Sequence, residues 1–188
     1  AALQAVVAES GVSEGSKADR IASATKRTIT ERMDEDPAFY KRFSELLEET
    51  IRAYREKRLS ERDYLNDIVD LATKVAQKDR GQDVPHVLQG NDDGQAFYGL
   101  LKGRLRTQAG EPVDGEEAGK IAIDIISIIS SHLIVGVWSN EVAQNNMRNA
   151  IDDYFFDVLR DQREIHVELE VLDGLEQEIM SLAKARFP

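Results

Sequence analysis

The sequence is poor in residues that cross-link or interrupt a chain. It contains no cysteine, which excludes disulfide bonds, thiolate metal sites and a cysteine nucleophile, and this is compatible with a reducing, cytoplasmic location. Only four prolines occur, each at or near a predicted boundary: Pro37, Pro85, Pro112 and Pro188. Because an interior proline removes a backbone hydrogen bond and clashes with the preceding turn, this distribution favours long helices.

Signals for catalysis are also lacking. No segment matches the phosphate-binding G-x-x-x-x-G-K-S/T loop or the dinucleotide-binding G-x-G-x-x-G loop. The histidines His86, His132 and His166 are scattered, and no Glu-x-x-His pattern supports a carboxylate-bridged metal site. Three aspartates share one helical face and are interpreted as a solvated surface in preference to a cation site: Asp63, Asp67 and Asp70. We therefore predict no catalytic residue, no metal ligand and no cofactor in this chain.

The net charge of −11 is distributed unevenly. Residues 1–110 carry 18 Lys and Arg against 19 Asp and Glu, whereas residues 111–188 carry 6 against 16. A domain that binds duplex DNA on its own normally has a basic face. Only the first half is therefore suited to a phosphate backbone, and we expect the acidic second half to face protein or solvent.

Helix start signals recur, and no segment is a convincing strand. Ser16 and Asp19 resemble a capping box, Pro37 occupies a first helical position behind Asp36, and Ser60 opens a third helix. The periodic segments cover approximately residues 16–33, 37–54, 60–76, 92–108, 116–135, 140–163 and 169–186. The sequence therefore predicts an all-α fold, an irregular bundle of about six or seven helices without a sheet.

The segment 116–135 is the most apolar part of the sequence. Its isoleucines raise strand propensity, so a strand is one alternative to a helix. A membrane span is another, and it requires about 20 mostly apolar residues. Asp124, His132 and several serines interrupt the run. We therefore predict a buried central helix and no membrane partner.

Basic residues gather in two places in the first half. A set that could neutralise phosphates consists of Arg55, Lys57, Arg58, Arg62, Lys102, Arg104 and Arg106. The alternative is that these cations pair with the many nearby glutamates. The set is therefore a candidate DNA-binding surface, and the alternative stays open.

Asparagines gather in the second half, although asparagine is a poor helix former. They flank one arginine and precede paired acids, which gives a candidate partner-binding set: Trp138, Asn140, Asn145, Arg148, Asn149, Asp152 and Asp153. Such a group either forms an intramolecular polar network or recognises a partner, and the sequence leaves both open.

Several of these runs occur together across nearly the whole chain. They are residues 17–22 (KADRIA), 25–33 (TKRTITERM), 36–41 (DPAFYK), 43–44 (FS), 51–54 (IRAY), Trp138 with Asn140, 147–149 (MRN), 151–154 (IDDY) and 183–187 (AKARF). As a set, they resemble the carboxy-terminal region of type I restriction endonuclease subunits.

This resemblance implies a large parent protein with a nuclease domain and two helicase-like motor lobes. The parent would use ATP and Mg²⁺ in its upstream domains, and would work with the methyltransferase and specificity subunits of the same restriction-modification complex. The helical tail is then expected to hold the motor to the methyltransferase core. The alternative function is an accessory module that contacts duplex DNA through the basic first half.

The predicted domain organisation follows from the resemblance, the charge and the glycine- and proline-containing loop at residues 110–115. Since the chain starts at Ala1 rather than Met and shows no signal-peptide pattern, we expect a piece of a longer cytoplasmic protein. Residues 1–15 are predicted to be an arm from a preceding motor domain. Residues 16–188 would form the assembly domain, with a charge-neutral half, 16–110, and an acidic half, 111–188.

Overall fold

The structure is a computed structural model that describes residues 2–188. Helices dominate, which confirms the predicted all-α fold. They are Ala2–Val7 (α1), Glu14–Glu31 (α2), Pro37–Arg55 (α3), Glu61–Gln77 (α4), Asp92–Leu101 (α5), Gly115–His132 (α6), Glu141–Asp153 (α7), Asp161–Arg163 (α8) and Leu169–Arg186 (α9). A small antiparallel sheet of Leu105–Thr107 (β1) and Ile165–Val167 (β2) departs from the prediction of a fold without a sheet.

Contacts divide the chain into two compact units. Unit 1 comprises the residues up to Met33 and Ala38–Gly81, and unit 2 comprises Asp34–Pro37 and Gln82–Pro188. Unit 1 has 15 Lys and Arg against 13 Asp and Glu, a net charge of +2, whereas unit 2 has 9 against 22, a net charge of −13. The sequence-based division at residue 110 followed the change in charge and the loop signals at residues 110–115. The division by contacts, near residue 81, separates the charges further.

In unit 1, α2 packs against α4. Helix α2 begins at Glu14, because the Ser13 hydroxyl accepts a hydrogen bond from the Ser16 backbone N–H at 3.2 Å. This corrects the predicted start at Ser16. Ser60 caps α4 as predicted, since its hydroxyl accepts from the Asp63 backbone N–H at 3.1 Å.

A polar contact joins α4 to α2, and an aromatic contact joins α4 to α3. The Tyr64 hydroxyl of α4 donates to the Asp19 carboxylate of α2 at 2.9 Å, and the Tyr64 ring stacks on Tyr54 with centroids 4.2 Å apart. Burial and the bond to Asp19 raise the pKa of Tyr64. A Cβ added at Gly15 of α2 would lie 2.7 Å from the hydroxyl of Tyr54, a residue of α3, so α2 packs closely against this side chain.

The predicted arm, residues 1–15, includes a short helix. Leu3 and Val6 of α1 are partly buried against the core of unit 1, and Lys17 Nζ donates to the Val7 carbonyl at 2.8 Å. Ala1 lies outside the described residues. The role of this segment as an arm from a motor domain stays a prediction.

Helix α6 is the buried centre of unit 2, as predicted for the isoleucine-rich segment. The Asp114 carboxylate caps it by accepting from the Glu116 backbone N–H at 3.0 Å, and Ile121, Ile125 and Ile129 are fully buried. Among the described residues, none of the helices has the length and apolarity that crossing a membrane requires.

The predicted helix 92–108 ends early, at Leu101. Gly103 has a φ of +76°, a left-handed conformation that stops the helix. The chain then forms β1, whose Leu105 is buried and pairs with Val167 of β2. The prediction of a helix to residue 108 is therefore wrong, because the pairing partner lies about sixty residues away along the chain.

The helical segment 141–163 forms as predicted, but its winding changes. Asn140 caps α7, with its side-chain oxygen accepting from the Ala143 backbone N–H at 3.1 Å. After α7, Tyr154–Arg160 adopts a π-helix, and α8 follows directly. Such wider turns often occur at functional sites.

Candidate functional site

One face of α7 carries part of the predicted partner-binding set. Val142, Asn145, Asn149 and Asp153 recur at three- or four-residue spacing and are exposed, so they lie along one side of the helix. We call these four residues the α7 face. Asn140 is exposed at the beginning of the helix, where it serves as the cap. The α7 face is therefore a continuous surface that combines two amides with one aliphatic and one acidic side chain.

Arg148 and Asp152 belong to a network within unit 2. Arg148 Nη1 donates to Asn145 Oδ1 at 2.8 Å, and the half-buried Asp152 shares a hydrogen bond with Glu176 of α9. Burial, followed by the bond to Asp152, raises the pKa of Glu176 to about 8, while the charge of Arg148 opposes that rise. The hydrogen bond between these two carboxyl groups links α9 to α7. For Arg148 and Asp152 this geometry favours the network interpretation over the partner-binding one.

Trp138 also makes an internal contact. Its side chain is partly buried against the core of unit 2, and Nε1 donates to the Phe187 carbonyl at 2.6 Å. The bond joins the short turn Val137–Ser139 to the residue that follows α9. Trp138 therefore holds the end of the chain in place.

The closing run, residues 183–187, is fixed by further contacts. The Arg186 side chain is 8% exposed and forms ion pairs with Asp92 and Asp93, both at 2.7 Å. These acids occupy the first turn of α5, where negative charge is also favoured by the helix dipole. The Phe187 ring stacks on Phe97, with centroids 6.4 Å apart.

Exposed aliphatic side chains lie on the α7 face and in the loop that precedes α7. Ile134 is 56% exposed, Val135 is fully exposed and Val142 is 69% exposed. Gly136, with a φ of +75°, turns the chain between them. We predicted that Ile134 and Val135 form the end of the buried helix 116–135. The glycine after an unbroken aliphatic run was the signal that this helix ends earlier and leaves the run in a loop.

The π-helix is held by a polar cluster on α6. The Tyr154 hydroxyl donates to Asp124 Oδ2 at 2.6 Å, and Arg163 Nη2 contacts the same oxygen at 3.0 Å. Arg163 also reaches Glu117 at 3.4 Å. Burial and the bond to Asp124 raise the pKa of Tyr154, so this hydroxyl stays protonated.

The unit 1 part of the candidate DNA-binding set lies between α3 and α4. Lys57 has a φ of +59°, and the Arg58 backbone N–H returns to the Ala53 carbonyl at 2.9 Å, which closes the end of α3. Arg58 pairs with Glu56 at 2.8 Å. Arg55, at the end of α3, is near enough to Tyr64 to oppose the rise in that hydroxyl's pKa. A fourth cation, Arg62, lies in the first turn of α4 and is exposed.

The unit 2 part of that set has partners of its own. Lys102 pairs with Asp83 at 3.5 Å, and Arg104 pairs with Glu178 at 2.9 Å. Arg106 donates to the neighbouring Leu105 carbonyl at 3.2 Å. For Lys102 and Arg104, the geometry supports the alternative that the sequence left open, pairing with acids.

The described residues contain no group of three or more His, Cys, Asp and Glu side chains placed to hold a metal ion. Among curated proteins and solved structures, none matches this chain. The family model described as type I restriction enzyme HindI endonuclease subunit-like, C-terminal, matches residues 17–181. That match begins at the first run on which the resemblance rested and covers most of both compact units. The chain therefore belongs to the family of C-terminal domains of type I restriction enzyme HindI endonuclease subunit-like proteins.

Proposed function

We propose that this domain fastens the endonuclease subunit of a type I restriction enzyme to its methyltransferase and specificity core. The subunit would use the attachment during ATP-dependent DNA translocation and cleavage. ATP and Mg²⁺ would be bound by other domains of the subunit. Family membership supports the origin of the domain in a type I restriction endonuclease subunit, and the surface of unit 2 supports the docking role.

The observation that carries the proposal is the α7 face. Asparagine is a poor helix former, yet Asn145 and Asn149 occupy exposed helical positions that an alanine or glutamate would stabilise better. The Asn149 side chain has no hydrogen bond within residues 2–188, and Val142 exposes an apolar side chain about two turns before it. Uncharged amides beside aliphatic groups suit a protein interface, whose centre is depleted of charge.

The charge of unit 2 supports a protein partner over DNA. With a net charge of −13, unit 2 repels a phosphate backbone and attracts a basic protein surface. Complementary charge of this kind accelerates association and selects partners more than it tightens the final complex. Salt is therefore expected to slow assembly more than it speeds dissociation.

The test is a pair of arginine substitutions in the intact subunit. Asn149→Arg places a bulky cation on the α7 face, whereas Ser181→Arg adds the same charge at an exposed position of α9. We expect Asn149→Arg to weaken binding to the methyltransferase and specificity complex about tenfold or more, since a buried cation without a partner is strongly unfavourable. Ser181→Arg should bind like the parent. Equal binding by both variants, with unchanged thermal stability, would remove the α7 face from the interface.

A second candidate function is duplex-DNA contact through unit 1. Lys57 and Arg62 form no ion pair within the described part of the chain, and unit 1 has a net positive charge. Replacing both by glutamine should make the dependence of log affinity on log salt shallower, by about 0.9 for each phosphate that the surface no longer neutralises. An unchanged slope in the intact subunit would exclude this surface from DNA binding.

A further inference from the structure

An open cleft of about 350 Å³ lies in unit 2 beside the π-helix. Its walls are mostly apolar and come from the π-helix, β2 and the beginning of α9. The apolar lining residues include Phe155, Phe156, Leu169 and Leu172, and the polar ones include Arg160, Glu164, His166 and Glu168. We call this the α9 cleft.

The backbone around the α9 cleft is fixed before any partner binds. Tyr154 and Arg163 hold the π-helix on α6 through Asp124. Glu164 then adopts a φ of +57°, which turns the chain out of the helix and into β2. Pairing of His166 with Arg106 fixes that strand, so the cleft has walls on elements held in place by separate contacts.

The apolar part of the cleft is open to a partner. Phe155 and Leu172 are buried at the wall, whereas Leu169 is 72% exposed at the rim. An exposed leucine beside a preformed apolar cleft gains free energy when a second apolar group covers it. Pockets that bury a central anchor side chain are where interface binding energy concentrates.

The charges at the rim select the partner. Arg160 stacks over Phe156 at 4.8 Å and pairs with Asp161 at 2.8 Å, so its charge is already neutralised. Glu164 and Glu168 also line the cleft, and the Glu168 carboxylate lies 3.8 Å from His166 Nε2. The rim is therefore acidic, within a unit whose net charge is −13. Phosphate and carboxylate groups are disfavoured there, and ammonium or guanidinium groups are favoured.

We infer that the α9 cleft binds a protein segment that presents one large apolar side chain flanked by lysine or arginine. The apolar side chain covers Leu169 and enters between the phenylalanines, while the flanking cations face Glu164 and Glu168. This inference rests on the proposed docking function and names a second contact point for the same partner, the methyltransferase and specificity complex.

Two substitutions test the apolar and the charged part separately, in the intact subunit that carries this domain. Leu169→Ser removes the exposed rim side chain, and Val171→Ser is its control, because Val171 is a partly exposed aliphatic on the same helix that does not line the cleft. Glu168→Gln removes a rim charge, and Glu170→Gln removes an exposed charge two residues away, outside the cleft.

Affinity for the methyltransferase and specificity complex is measured for all four variants at low and high salt. We expect Leu169→Ser to bind about tenfold more weakly at both salt concentrations. Glu168→Gln should bind about threefold more weakly at low salt, with the difference abolished at high salt because ions screen the rim. Both controls should bind within about twofold of the parent. Affinities of the cleft variants equal to those of their controls would overturn the inference.

A photo-crosslinking residue at position 169 identifies the occupant directly. The expected product joins the subunit to a peptide of the partner that contains an apolar residue between lysines or arginines. A crosslink to DNA, to a second copy of the subunit or to a small apolar molecule would overturn the inference. If Asn149→Arg abolishes assembly while the cleft variants do not, the cleft inference fails and the docking function stands. If removing the domain leaves assembly unchanged, both fail.

Discussion

Trp138 gives the sharpest test of which predicted site residues belong to the fold. Its indole Nε1 donates to the Phe187 carbonyl at 2.6 Å, and its ring packs partly buried against the core of unit 2. Trp138→Phe keeps an aromatic ring but removes the donor. One such hydrogen bond contributes about 1 kcal/mol net. Trp138→Ala also removes the packing of the ring, for a total of about 3 kcal/mol.

These free energies translate into melting temperatures. For a chain of this size, 1 kcal/mol corresponds to about 2–4 °C, so Trp138→Phe should lower the melting temperature by about 2–4 °C and Trp138→Ala by about 6–12 °C. Far-ultraviolet circular dichroism is the appropriate probe, because Trp138 is the single tryptophan and its replacement removes that fluorescence signal. Assembly with the methyltransferase and specificity complex is measured in parallel, at a temperature where each variant is folded.

The outcome separates a structural tryptophan from a partner-binding one. A loss of stability with normal assembly of the folded protein is the expected result. If Trp138→Phe keeps the melting temperature of the parent and weakens assembly, the bond to Phe187 is unimportant and Trp138 contacts the partner.

Three further predictions concern the backbone and the buried polar groups. In a denaturation assay, Gly103→Ala should destabilise the domain by about 1 kcal/mol, because φ at this residue is +76°. Gly174→Ala should stabilise the domain by about 0.5–1 kcal/mol, because Gly174 is helical and has open space around its Cα. Tyr154→Phe should lower the free energy of unfolding by about 1–2 kcal/mol through loss of the bond to Asp124, with a proportionate fall in urea midpoint. The pKa of Glu176 is raised from 4.5 to about 8, so the folded state binds this proton more tightly than the unfolded state does. The free energy of unfolding should therefore fall as the pH rises from 4.5 to about 8. In denaturation experiments across this pH range, Glu176→Gln should abolish that fall.

Local signals in the sequence predicted the helices well. Pro37 begins α3, and Ser60 caps α4, because caps and first-turn positions depend on residues within one turn of the helix end. The isoleucines of α6 predicted the buried centre, since an apolar segment of that length has to be covered. In these helices, the structure therefore confirms the predictions that depended on neighbouring residues alone.

Features that depend on distant residues were missed. Strand β1 pairs with β2 over three residues, and neither strand is long enough to show an alternating pattern. The π-helix at Tyr154–Arg160 keeps the helical periodicity nearly intact, so the sequence does not distinguish it from an α-helix. A buried aromatic contact and a docking surface also look alike in sequence. Trp138 became interpretable only through Phe187, which lies 49 residues away.

The candidate sites were predicted with unequal success, because contacts with residues distant in the sequence leave no local signal. On α7, helical periodicity places Asn145 and Asn149 on one face, which the sequence alone implies. Whether Arg148 and Asp152 face a partner or the protein depends on α9, which supplies Glu176. Likewise, the acids that neutralise Lys102 and Arg104 come from other segments of unit 2 and had no signature near those residues.

The central claim is that this domain attaches the endonuclease subunit to the methyltransferase and specificity core. The direct measurement is the affinity of that core for the intact subunit and for a subunit that lacks residues 17–181. Both are measured under the same salt conditions, with circular dichroism as a check on folding of the remainder. We expect the truncated subunit to bind at least about a hundredfold more weakly, which corresponds to about 2.8 kcal/mol. An unchanged affinity would contradict the account.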